Sequence, residues 1–171
     1  EWCKTHKDPK TGNNYDLYRD GLKIYTTIDP KMQLFAEEAV VKHMTAMQKN
    51  FNRQLPKNVW KGQDDILNRA MKESDRWRNM KENGATDAEI EKSFTVPVSM
   101  KVFAWNKKRE TDTVMTPMDS IKYSKQMMQT AFCAMDPISG EIKAWVGGID
   151  FKWFKFDHVT ANRQLGSTFK P

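Results

Sequence analysis

Ser167 and Lys170 stand three positions apart in Gly166-Ser167-Thr168-Phe169-Lys170-Pro171. On a helical turn this spacing puts both side chains on one face. A serine hydroxyl is a weak nucleophile at neutral pH until a neighbour takes its proton, and a desolvated amine can do that. Taken bare, the spacing also suits an ordinary helix start. Pro171 says where such a helix begins. Proline is tolerated only in the first turn, where its missing N–H would have had no partner. The helix therefore starts at about Ser167, with the serine at or near the N-cap and the positive end of the helix dipole. Gly166 lets the chain turn sharply and leaves the hydroxyl approachable.

The elements that must position this pair read as a mixed α+β chain. Residues 1–18 are polar and turn-rich, a connector with Trp2 as a candidate anchor. Leu22, Ile24, Thr26 and Ile28 alternate with polar or mixed neighbours, the pattern of a half-buried strand. Asp29-Pro30 is an N-cap followed by proline at the first helical position. The helix it opens is expected to run to about Asn50, with Met32, Phe35, Ala36, Ala39, Val40, His43, Met44 and Met47 on its apolar stripe. Histidine on such a stripe is read as a core or rim side chain. A loop over 51–63 leads to a second helix over 64–82, closed by Asn83-Gly84. Thr86-Asp87-Ala88-Glu89 is a capping box for a third, short helix ending near Ser93.

Val96, Val98, Met100, Val102 and Ala104 alternate as a strand. Asn106 to Glu110 is a charged turn, and its Lys107-Lys108-Arg109 is read as solvated surface. Thr113-Val114-Met115 forms a short returning strand, and Thr116-Pro117 opens a helix to about Met128. Residues 129–136 are apolar on both faces, as expected for a strand buried between layers, with Cys133 packed as a small hydrophobe. Pro137-Ile138-Ser139-Gly140 is a tight turn, and residues 141–146 return. Gly147-Gly148 leaves room for another backbone to approach. The irregular stretch that follows carries Phe151, Trp153, Phe154 and Phe156, which either line a substrate groove or pin the loop.

Two strings carry a resemblance. One is Met135-Asp136-Pro137-Ile138-Ser139-Gly140-Glu141-Ile142-Lys143-Ala144-Trp145-Val146-Gly147-Gly148 with Arg163-Gln164-Leu165-Gly166-Ser167-Thr168-Phe169-Lys170-Pro171 behind it. The other, about 110 residues upstream, is Asp20-Gly21-Leu22-Lys23-Ile24-Tyr25-Thr26-Thr27-Ile28-Asp29-Pro30-Lys31-Met32-Gln33. Both resemble class A penicillin-binding proteins: the first the strand–turn–strand and nucleophile turn of the transpeptidase domain, the second the join between glycosyltransferase and transpeptidase domains. Residues 115–121 are similar to the Bacteroides and Flavobacterium members of that family. The resemblance covers about residues 16–48 and 126–171, and the middle between them reads as a lineage-specific insert. The upstream string argues against a beta-lactamase or a beta-lactam sensor.

The resemblance implies a domain plan: a polar connector over 1–21, an interdomain linker or pedestal with an insert over 22–128, and the opening of a transpeptidase domain over 129–171. It implies that Ser167 is acylated and that Lys170, with its pKa lowered by burial and cationic neighbours, helps deprotonate it. The substrate class it implies is the D-Ala-D-Ala end of a peptidoglycan stem peptide, which beta-lactams mimic. No cofactor or metal is expected. The family site also uses a Ser-x-Asn element and a Lys-Thr-Gly or Lys-Ser-Gly strand downstream, the latter supplying an oxyanion-hole N–H beside that of Ser167. Neither follows Ser167 in these 171 residues, so the chain alone is expected to be inactive, its last ten or so residues poorly ordered without the rest of the domain, and its cut sheet edge prone to self-association. Leu165 stands where the family commonly has proline. Asp157-His158-Val159 stands where it often shows Asn-Arg-Ala, and a Ser–His pair is disfavoured because the family uses lysine as base. A different reading makes residues 22–128 a docking module for cell-wall proteins.

The totals bound these readings. With 39% hydrophobic and 29% charged residues the chain is globular with a polar surface. Its net charge of +6 is spread along the chain without basic runs interleaved with aromatics, which argues against nucleic acid. No run of about 18 apolar residues exists, so an anchor to the periplasmic face of the bacterial inner membrane would lie upstream. The two cysteines, Cys3 and Cys133, make no disulfide framework and no metal spacing.

Overall fold

The computed structural model describes residues 2–162. It is an α+β chain in the order α1 (Trp2–Thr5), α2 (Pro30–Gln54), α3 (Asp64–Lys72), α4 (Asp75–Glu82), α5 (Asp87–Ser93), β1 (Val98–Phe103), β2 (Glu110–Met115), α6 (Pro117–Lys125), β3 (Phe132–Met135) and β4 (Ile142–Val146). The strands form two separate antiparallel pairs, β1–β2 and β3–β4.

The helix starts follow local chemistry. Asp29 accepts the N–H groups of Lys31 and Met32, and Pro30 follows it, so α2 begins where a side chain satisfies otherwise orphaned donors. Thr86 and Glu89 form the reciprocal capping box of α5. Thr116 caps α6. Gly84 and Gly140 adopt positive φ after α4 and in the β3–β4 turn.

Three expectations change. Residues 64–82 are two helices, because Ser74 Oγ donates to Met71 O at 2.6 Å and accepts the N–H of Trp77 at 3.3 Å, ending α3 and capping α4. Residues 22–28 are not a strand. Thr27 Oγ1 donates to Ile142 O at 2.7 Å and Asp29 N to Lys143 O at 2.9 Å, but no ladder forms and Ile24 is 69% exposed. Alternation states which face would be buried, whereas a strand needs a partner. β3 is not buried between layers: Phe132, Cys133 and Met135 are exposed, so Cys133 does not pack as a core residue. Smaller shifts are the extension of α2 to Gln54 and the end of α6 at Lys125. The connector carries a short helix, with Trp2 stacked on His6 and Tyr15.

The core has three parts. Met71, Trp77, Ile90 and Phe94 close the middle region, with Met118 and Ile121 against them. Ala36, Ala144 and Val146 join α2 to β4. Met44, Phe103, Met127 and Ile149 form a joint where α2, β1, the segment after α6 and the loop after β4 meet.

Candidate functional site

Ser167 and Lys170 lie outside the described residues, as do Gly166 and Leu165. The structure gives the ramp that leads to them: β4, Gly147-Gly148, and an arch over residues 149–159.

The arch folds back on the strand end. Asp157 accepts the indole N–H of Trp145 at 2.9 Å with one carboxylate oxygen and the N–H of Val159 at 2.8 Å with the other. His158 N donates to Gly147 O at 2.7 Å. A Cβ on Gly147 would sit 2.9 Å from Asp157 Oδ1, so a side chain here would displace that carboxylate. The His158 ring meets Phe156 edge-on, with centroids 4.9 Å apart. The other end of the arch is shaped by Asp150. Its Oδ1 accepts the N–H groups of Lys152 and Trp153, and its carbonyl accepts that of Phe154 at 2.9 Å.

α2 acts as a splint through two glutamines one side-chain stripe apart. The Gln33 amide donates to Trp145 O at 3.0 Å and accepts Trp145 N–H at 2.8 Å, pairing with β4 as a neighbouring strand would. Gln48, 2% exposed, donates to Gln126 O at 3.0 Å and accepts Met128 N–H at 2.8 Å. One helix thus satisfies backbone groups of both the β4 edge and the segment leaving α6. Neither glutamine was singled out from sequence. The available signal was the four-residue spacing Ala36, Val40, Met44, Gln48, which places a polar residue on the buried stripe.

Arg109 corrects the reading of the charged turn as solvated surface. It adopts a left-handed φ of 59°, and its side chain is only 21% exposed. Its Nη2 donates to Ile149 O at 2.7 Å and its Nε lies 3.5 Å from Asp150 Oδ2. The guanidinium lies over the rings of Phe103 and Trp105, at 5.0 and 4.6 Å. Next to it, Glu110 pairs with Lys152 on the arch and with Lys101 on β1. Hydrogen bonds from Lys152 and then Lys101 hold the Glu110 carboxyl below the usual glutamate range. Two adjacent residues, Arg109 at the end of the β1–β2 turn and Glu110 at the start of β2, therefore hold the arch.

Two of the arch aromatics pin the loop. Trp153 and Phe154 pack on the joint, with Phe154 edge-on to Phe103 at 5.3 Å. Phe151 and Phe156 are exposed. Between arch and α2 lies a cleft of about 510 Å³ whose lining includes Glu37, Phe151, Lys155 and Phe156. A second, apolar cleft of about 460 Å³ separates α2 from β3. Exposed His43 lines it and belongs to no metal group. Among the described residues no set of three or more His, Cys, Asp or Glu could hold a metal ion, and no helix is long and apolar enough to cross a membrane.

Comparison with known proteins gives three kinds of result. Residues 48–128, the stretch read as an insert, match the family model described as the penicillin-binding protein middle domain. The chain is 26% identical over 189 residues to penicillin-binding protein 1A of Escherichia coli, which covers 90% of this chain and 22% of that protein. It is 28% identical to penicillin-binding protein 1A of Rickettsia bellii, covering 93% of the chain and 23% of the relative, and 25% identical to that of Vibrio cholerae, covering 90% and 24%. The chain thus spans a little under a quarter of each of these relatives. None of the three comes from the Bacteroides and Flavobacterium group, so that lineage has no support among them. No solved structure matches.

Proposed function

We propose that the chain is a segment of a class A penicillin-binding protein and that this parent cross-links peptidoglycan by acyl transfer through Ser167. Ser167 attacks the carbonyl between the two D-alanines of a stem peptide. Lys170 takes the hydroxyl proton, the terminal D-alanine leaves, and an amine of a neighbouring stem takes the acyl group from the serine. A beta-lactam enters the same way and stays on the serine. The parent also carries a glycosyltransferase domain and an anchor to the periplasmic face of the inner membrane, both beyond these residues. Residues 1–21 are its connector, 22–128 its pedestal and 129–171 the opening of its transpeptidase domain, which stays inactive without the downstream elements.

The observation that carries this reading is the placement of the Ser-x-x-Lys motif. It follows directly on a β-hairpin and a tethered arch, which in turn follow a stretch matched to a penicillin-binding protein middle domain.

Labelling with a fluorescent penicillin, read by intact mass, tests it on this chain and on the full-length protein. The expected result is an adduct on the full-length protein alone, lost in Ser167→Ala. A full-length protein that takes no label overturns the assignment and leaves residues 22–128 as a docking module.

A further inference from the structure

We infer that the cleft between α2 and the arch is a binding site for a short zwitterionic peptide, one that carries a free amino group and a free carboxylate. The site stands apart from the reading of Ser167 given above.

Its two walls carry opposite charges that the fold leaves open. Glu37 lines the α2 wall and Lys155 the arch wall. Among the described residues neither makes an ion pair, and Lys155 makes no hydrogen bond. Every other charged side chain in the lining has a task in the fold. Arg109 holds Ile149 and Asp150, and Asp157 holds Trp145 and Val159.

The open carboxylate is held in place. The Gln33 amide donates to Glu37 Oε1 at 2.7 Å and to Trp145 O at 3.0 Å. One oxygen of Glu37 is thus tied to the β4 edge, and the other is left for a ligand ammonium. Lys155 stands on a segment fixed on both sides, at Asp150 by Arg109 and at Asp157 by Trp145. Two rings complete the lining. Phe151 and Phe156 are 79% and 64% exposed, while Trp153 and Phe154 between them pack on the joint. Rings this exposed gain when an apolar ligand body covers them.

This combination selects a chemical class. An anion alone would find Lys155 but meet repulsion from Glu37, and a cation alone the reverse. An apolar ligand would leave both charges without a partner. A short peptide supplies an ammonium, a carboxylate and a body between them. The cleft volume of about 510 Å³ falls within the roughly 300–1,000 Å³ of ligand sites. Both charges meet solvent, so each pairing contributes modestly.

The test uses tri-alanine, N-acetyl-tri-alanine and tri-alanine amide as probes. Their dissociation constants are measured by calorimetry on the full-length protein with saturating penicillin present, for wild type, Glu37→Gln, Lys155→Gln and Phe151→Ala/Phe156→Ala. In the wild type, blocking either end of the peptide is expected to weaken binding about fivefold. Glu37→Gln weakens tri-alanine about as much, and acetylation then costs nothing further. Lys155→Gln does the same for amidation, while acetylation still costs about fivefold there. The double phenylalanine variant weakens all three peptides alike. Both charge positions are exposed, so these variants keep the fold, and the blocked peptides probe the wild type in any case. Three outcomes overturn the inference: no saturable binding of tri-alanine to the wild type, equal binding of free and blocked peptides, or binding that both charge variants leave unchanged. None of them alters the penicillin labelling that tests Ser167.

Discussion

The middle region and the β3–β4 region are held together by different means. The middle region, α3 to α6 with β1 and β2, closes around its own apolar side chains: Ile90 and Phe94 are essentially inaccessible, and Met71 and Trp77 complete the cluster. Its helices α4, α5 and α6 carry their own side-chain caps. The β3–β4 hairpin contributes only Ala144 and Val146 to buried surface and leaves Phe132 and Met135 exposed. It relies on side chains from elsewhere, Gln33 from α2 at the strand edge and Arg109 with Glu110 at the arch. A region that buries its own core is held mainly by packing, whereas one held by borrowed hydrogen bonds opens locally when a contact is lost and is correspondingly open to adjustment from its neighbours.

The largest effect expected from this contrast is in the middle region. Phe94→Ala removes a fully buried ring and is expected to cost about 3–5 kcal/mol in denaturant unfolding; a loss under about 1 kcal/mol would mean that this cluster is not the core described. Next comes Gln48→Ala, which strips partners from Gln126 O and Met128 N in a buried setting and is expected to cost about 1–3 kcal/mol. A neutral result there would break the view of α2 as a splint. Gln33→Ala is milder, about 0.5–1.5 kcal/mol, because its partners sit at a part-exposed strand edge. Its signature is local: hydrogen exchange at the Trp145 amide accelerates while that of Ile90 and Phe94 does not. Uniform acceleration would merge the two regions into one cooperative unit.

The smallest effect is electrostatic. The folded-state pKa of Glu110 is depressed, so its contribution is present above the ordinary glutamate value of 4.5 and is lost as pH falls through the lower folded value. Glu110→Gln should therefore lower Tm slightly at pH 7, with the difference from wild type closing in the acid range below the ordinary value. Because the group and its lysines meet solvent, added salt should shrink the difference as well. A Tm gap that persists in acid would assign the effect to packing.

The chain's local instructions were legible in its residues. Asp29-Pro30, the Thr86–Glu89 box, Thr116-Pro117 and the Gly140 turn each act through bonds spanning a few residues, so residue type and spacing were enough to set the start of α2, α5, α6 and the β3–β4 turn. The Ser-x-x-Lys spacing and the strings around it likewise carried the resemblance from order along the chain. The tertiary structure decided everything that depends on a partner far away in sequence. Alternation at 22–28 did not become a strand because only its end meets β4, through Thr27 and Asp29, and no ladder forms. The apolar run at 129–136 stayed exposed because nothing described covers β3. Ser74 split a helix whose periodicity ran on, since a cap competes locally with continuation. Gln33 and Arg109 gave no signal of their task, and Gln48 only its place on the apolar stripe, because a polar side chain is written the same way whether it meets water or a backbone group 112, 80 or 40 residues distant. Only the fold brings that group within hydrogen-bond reach.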